Sequence, residues 1–144
     1  MAITLDGTTG ITTTNGDVYA EGNILGTVSQ TSGVPTGSIL EKGSNANGEY
    51  VRYADGTQIC WNYNAGSLAS TAATGSLFRT ATEATWTFPK VFIVAPVVIA
   101  APNIASRFGA VGAVTTTTAD FRHFSAVTAS GTVDTMVMAT GRWF

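Results

Sequence analysis

Residues 43–62, GSNANGEYVRYADGTQICWN, decide how this chain is read. They hold two runs of strand-forming residues, YVRYA (50–54) and TQICWN (57–62), separated by Asp55-Gly56. Asp-Gly between such runs is a strong hairpin signal, because a two-residue type I′ turn needs φ > 0 at both central positions. A turn centred there predicts Ala54 opposite Thr57, Tyr53 opposite Gln58, Arg52 opposite Ile59, Val51 opposite Cys60 and Tyr50 opposite Trp61. One face then carries Tyr50, Arg52, Ile59 and Trp61, and the other Val51, Tyr53, Gln58 and Cys60. A hairpin with one wetted face alternates apolar with polar along each strand; here neither face is cleanly polar. One face is therefore expected to meet the core and the other a further surface, such as a second subunit.

The rest of the chain reads as β structure too. Its 144 residues suffice for one ordinary domain and an extension. Hydrophobic residues make up 44% and charged ones 11%, so a core can form beneath an unusually uncharged surface. Thr, Ser, Asn and Gly fill the difference, a mixture suited to strands and turns. Beyond the hairpin, residues 64–74 read as a small-residue loop and 76–80 as a short edge strand. The run ATWTFPKVFIVAPVVIAAP gives two strand-like pieces broken by Pro89 and Pro96, which belong at edges, bulges or turns. Further strands are expected over 109–117, 121–127 and 134–143, the last with Val137, Ala139, Gly141 and Trp143 on one side and Met136, Met138, Thr140, Arg142 and Phe144 on the other. No stretch holds a 3.6-residue period, so almost no helix is expected. About six strands with frequent turn signals argue for an all-β antiparallel sandwich.

Residues 1–36 differ. Gly recurs every few positions, Tyr19 is the only aromatic, and the apolar residues come in short pairs. Such a segment cannot offset a backbone ordering cost of roughly 1–2 kcal/mol per residue without partners. It reads as an extended N-terminal arm, with SQTSGVPTG (29–37) as a linker into the domain at 37–144.

GSNANGEYVRYADGTQICW closely resembles the opening of the C-terminal domain of many bacteriophage tail-fibre proteins, and the FP, F, AP and ATGRWF landmarks continue the likeness over the last two thirds of the chain. The spacing of Phe88, Phe92, Pro96 and Val98 is similar to the F, F, P, V pattern of H-type lectins, and ITLDGTTGIT resembles the start of many phage fibre proteins. The resemblance implies a compact homotrimeric sandwich that binds carbohydrate, joined to other virion proteins through residues 1–36. It implies a virion appendage assembled in the host cytoplasm.

Several other functions find little support in the residues. A net charge of −2 with five scattered Arg and two Lys gives no electrostatic case for nucleic acid. Residues 1–20 show neither a basic n-region nor an apolar h-region, and the apolar run at 91–101 is too short to span a membrane, so no membrane insertion is expected. Cys60 is the only cysteine, which rules out an intrachain disulfide and a cysteine-rich metal site. No cofactor motif, EF-hand spacing or phosphate-cradling loop is present, and neither cofactor nor metal is expected. His123 is the only histidine; a Ser-His-Asp set with Ser125 and Asp120 or Asp134 is formally possible but lacks a nucleophile elbow, and no carboxylate pair stands out for glycan cleavage. The chain is not expected to be an enzyme.

What remains is a surface for neutral polar ligands. A sugar offers hydroxyls and an apolar ring face, and its site needs planar hydrogen-bonding side chains beside an aromatic surface. Arg107, Asp120, Arg122 and His123 are the candidate ligand-binding residues, placed on loops at the end of the sandwich away from the arm, with Phe108 or Phe121 as the apolar surface. Trp61, Trp86 and Trp143 are expected to be core or interface anchors. The expected function is a phage tail fibre that recognises a host-surface glycan; a capsid fibre or decoration protein with a purely structural role is the alternative.

Overall fold

A computed structural model of the chain describes residues 4–6, 10–13, 16–17 and 21–144, with side chains from Asn23 onward. Strands β1 (Thr4–Asp6), β2 (Gly10–Thr13) and β3 (Gly16–Asp17) form a small antiparallel sheet in that order, followed by one helical turn, α1 (Glu21–Ile24). The attachment arm expected over 1–36 lies partly outside the described residues. Strands β4 (Gln30–Thr31) and β5 (Val34–Pro35) then pair as a hairpin. The domain continues through β6 (Leu40–Asn45), β7 (Gly48–Tyr53), β8 (Thr57–Asn62), β9 (Ser67–Ser70), β10 (Ala72–Thr74), β11 (Leu77–Arg79), β12 (Ala84–Thr87), β13 (Val97–Pro102), β14 (Arg107–Val114), β15 (Thr118–Ser125) and β16 (Ala129–Arg142). The fold is all-β.

Two antiparallel sheets make the sandwich. One runs β13-β16-β8-β7-β6, with β9 also on β16; the other runs β10-β11-β15-β12, with β14 on the opposite edge of β15. The segment SQTSGVPTG, read as a linker, is the β4–β5 hairpin, turned by Ser32 and Gly33 at φ 52° and 83° as a type I′ turn requires. It is bound to the sandwich. Gly26 N–H donates to Leu40 O at 2.9 Å, Ser38 N–H to Thr27 O at 3.0 Å, and Val28, itself buried, donates to Glu41 Oε2 at 3.1 Å. The domain therefore begins before residue 37. The small-residue stretch read as a loop over 64–74 supplies β9 and β10, because short side chains let it lie against β16 and β11.

The hairpin at 43–62 forms, but in another register. Arg52 stands opposite Gln58, Val51 opposite Ile59, Tyr50 opposite Cys60 and Glu49 opposite Trp61. The loop has three residues, Ala54, Asp55 and Gly56; Gly56 takes φ 92° and donates to Tyr53 O at 3.1 Å, while Asp55 Oδ1 accepts from Thr57 N at 2.8 Å. A type I turn closed by a left-handed glycine takes up one residue more than a two-residue turn, and a one-residue slip exchanges every facing partner. The faces stay mixed in chemistry but separate by burial. Tyr50, Arg52, Gln58 and Cys60 point inward, and Glu49, Val51, Ile59 and Trp61 point outward.

The core holds Cys60, Trp86, Phe88, Phe92, Ala100, Ala119, Phe121, Val137 and Ala139. Trp86, Phe88 and Phe92 meet edge to face, with centroids 4.9 and 5.1 Å apart, contacts worth about 0.5–1.5 kcal/mol each beyond area burial. Pro89 and Pro96 fall between β12 and β13, outside any ladder. Strand β16 alternates as its sequence predicts, with Val137 and Ala139 inward and Met138 and Thr140 outward. Cys60 is buried, and burial pushes its thiol up to about 11.

Candidate functional site

Strand β15 positions the residues singled out in the sequence, and it divides them. Its burial alternates without a break, with Ala119, Phe121, His123 and Ser125 inward and Asp120, Arg122 and Phe124 on the other side. On β14, register sets Arg107 opposite Ser125 and Phe108 opposite Phe124. Arg107 and His123 thus belong to the inner side and Asp120 and Arg122 to the outer. All four lie in strands, not on loops.

His123 is 0% exposed and cannot touch a ligand outside the fold, which corrects its reading as a binding residue. The Thr135 hydroxyl donates its one proton to Gly66 O at 2.8 Å, and accepts from His123 Nε2 at 2.8 Å. Nδ1 is then the unprotonated nitrogen, buried without a protein partner. Burial, with Arg107 nearby, holds the imidazole pKa below its ordinary value. Ser125 is buried too, so the formal Ser-His-Asp set has no access to substrate. Arg107 is a structural tie: its guanidinium donates to Leu68 O at 2.8 Å and to Gly131 O at 2.6 Å, joining β14 to β9 and β16.

The outer pair does converge with other groups. Arg122 Nη2 lies 2.7 Å from Glu83 Oε1 and its Nε donates to the same oxygen at 3.0 Å. Asp120 Oδ1 accepts from the Thr85 hydroxyl at 2.6 Å. Beside them Phe108 and Phe124 stack, with centroids 5.4 Å apart and planes 9° from parallel, and Phe108 stays 50% exposed. Gly112 keeps the floor low between Glu83 and Asp120; a Cβ there would stand 3.1 Å from Glu83 Oε1. The result is an open sheet face with a flat aromatic step and two pre-oriented polar pairs. Phe121, the other proposed apolar surface, is 1% exposed and belongs to the core.

Glu83, Thr85 and Phe124 escaped sequence reading. The signal was the period of two in ATEATWT and TADFRHFS, which sorts Glu83 and Thr85 to the face of Asp120, Arg122 and Phe124. Among the described residues, no three His, Cys, Asp or Glu side chains gather as metal ligands, and no helix is long and apolar enough to cross a membrane. No family model, curated protein or solved structure matches the chain.

Proposed function

We propose that the chain is a bacteriophage virion protein, a tail fibre that joins other virion proteins through residues 1–36 and meets host-surface carbohydrate with its sandwich as a homotrimer. The observation that carries the binding half is the exposed Phe108–Phe124 step beside the Arg122–Glu83 pair, with the Asp120–Thr85 pair next along the same face. Such a step covers the C–H face of a sugar ring, and the oriented donors and acceptors take its hydroxyls. Binding at an exposed face also needs no moving part.

Association of copies is supported by a separate strip. Val91, Ile93, Val94, Val97 and Ile99 all stand more than half exposed, and Met138 lies beside Ile99 in the β13–β16 ladder. Residues 91–101 carry no charged side chain. An apolar run of this kind on a soluble face marks a protein contact, and contact between identical copies meets no like-charge repulsion there.

The test uses the purified full chain on bacterial cells and on their extracted surface polysaccharide. Wild type is expected to bind, and the double variant Phe108→Ala, Arg122→Ala to lose binding while sedimenting unchanged. Absence of binding to every strain tested would favour a structural fibre or decoration protein, and a stable folded monomer at micromolar concentration would refute the trimer.

A further inference from the structure

Of all the charged side chains described in the domain, only two have no partner. Glu41 receives Tyr50 Oη at 3.0 Å and Lys90 at 3.6 Å; Arg52, Arg107 and Arg142 donate to carbonyl or amide oxygens; Arg122 and Glu83 pair; and Asp55, Asp120 and Asp134 accept hydrogen bonds. Arg79 reaches Thr80 O. Lys42 and Glu49 remain. They line the same cleft, of about 440 Å³, together with Gly43, Ser44, Tyr50 and Trp61.

Their convergence follows from register. Ser44 faces Glu49 and Glu49 faces Trp61, so the three form one row across β6, β7 and β8 on the outer face, with Lys42 in the next row opposite Val51. Gly43 is required beneath: a Cβ there would come within 2.7 Å of the Tyr50 ring. Trp61 differs from the other two tryptophans in the same way that Lys42 and Glu49 differ from the other charges. Trp86 Nε1 donates to Asn47 O at 2.8 Å and Trp143 Nε1 to Tyr53 O at 2.9 Å, whereas the half-buried Trp61 has no protein acceptor for its indole N–H. An ammonium, a carboxylate, a hydroxyl and an indole, none engaged elsewhere, therefore share one concave site.

We infer that this cleft binds one pyranose unit of an uncharged saccharide through Trp61, Glu49, Lys42 and Ser44. The mixed charge selects the class. An anionic sugar meets Glu49 and a cationic one meets Lys42, while a neutral polyol satisfies both, giving two hydroxyl protons to the carboxylate and accepting from the ammonium and the Ser44 hydroxyl. The indole supplies the flat apolar surface that a ring's C–H face covers. The volume lies at the small end of ligand clefts, which run from about 300 to 1,000 Å³. The site is separate from the Phe108–Phe124 face on the other sheet and stands on its own chemistry, whether or not the chain serves a virion.

The indole N–H signals of the three tryptophans in ¹H–¹⁵N spectra of the full chain provide the test, with D-galactose, D-glucose, D-mannose and N-acetyl-D-glucosamine as neutral probes and D-glucuronate and D-glucosamine as charged ones. At least one neutral sugar is expected to shift the Trp61 signal saturably in the millimolar range and leave Trp86 and Trp143 in place. Glu49→Gln should weaken that binding at least about tenfold; Phe108→Ala with Arg122→Ala should leave it unchanged, so failure of the cell-binding test does not decide this one. No saturable shift with any neutral sugar, tighter binding of a charged sugar, or equal binding by Glu49→Gln would each overturn the inference.

Discussion

The two ends of the sandwich core are built differently, although the same strands run through both. Where β15 starts and β16 finishes, Ala119 and Ala139 leave room for Trp86, Phe88 and Phe92. Four residues along β15 the filling becomes polar: His123, Ser125 and Thr135 are buried, with Ser70 and Thr80 at the base of the β10–β11 hairpin. The aromatic end is held by area and ring contact, which tolerate small shifts. The polar end depends on individual hydrogen bonds, and three buried atoms there, Ser70 Oγ, Thr80 Oγ1 and His123 Nδ1, have no protein partner. An unpaired buried group costs about 1–3 kcal/mol, so the second end carries less surplus stability than the first.

The largest effect should come from the apolar part. Phe121→Ala removes the ring that separates the two ends and is expected to destabilise the domain by about 3–5 kcal/mol, measured by denaturant unfolding of the purified chain. A loss below about 1 kcal/mol would mean that the core closes over the gap and that the aromatic end is less tightly packed than its geometry indicates.

At the polar end, Thr135→Val keeps the shape but leaves His123 Nε2–H and Gly66 O without their hydroxyl. A cost of about 1–3 kcal/mol is expected. A stabilising Val would show that the hydrogen bonds at this end are not what holds it.

A smaller, pH-dependent effect separates the ends further. Burial and Arg107 lower the folded-state pKa of His123, so the unfolded chain takes up the proton first. The stability from keeping the imidazole neutral is complete above its ordinary value of about 6.5 and is lost as pH falls toward the lowered folded value. The Glu41 and Asp55 carboxyls behave differently. Burial raises Glu41, but its hydrogen bonds from Tyr50 and Val28, with Lys90 and Arg52, outweigh that and leave it lowered; the Thr57 N–H lowers Asp55. Their contributions fade only below the usual carboxylate range of about 4. The melting temperature of wild type should therefore fall on acidification from about pH 6.5 to 5, and a His123→Gln variant should show a flatter profile there. Parallel profiles would place the acid sensitivity elsewhere.

Most of this architecture was legible in the sequence, and the exceptions have separate causes. Alternation in residues 135–142 sorted Val137 and Ala139 to one face and Met138 and Thr140 to the other, as the fold has them, although the strand starts five residues earlier than its expected beginning at 134; Phe88 and Phe92 reach the core from the segment between β12 and β13, outside any strand. The hairpin at 43–62 has two mixed faces, so composition could not choose between a two- and a three-residue turn, and the one-residue difference moved Trp61 from the side of Tyr50 to that of Glu49. At β15 the reverse happened: the alternation of Ala119, Phe121, His123 and Ser125 was readable, but a histidine among aromatics drew attention as chemistry when its place was the core. The cleft beside Trp61 was not readable at all. It arises from which charges lack partners, a property of the folded whole.

The bonds between residues 23–28 and 38–41 also have a mechanical meaning. Tension entering along the N-terminal segment reaches Asn23 O with Ile39 N, Gly26 N with Leu40 O, Thr27 O with Ser38 N and Val28 N with Glu41 before it reaches the β6–β7 ladder. The β4–β5 hairpin hangs as slack between the two sides of this clamp. A load sufficient to open the clamp is thus first spent on straightening that short loop, and the sandwich behind it keeps its shape while the N-terminal segment lengthens.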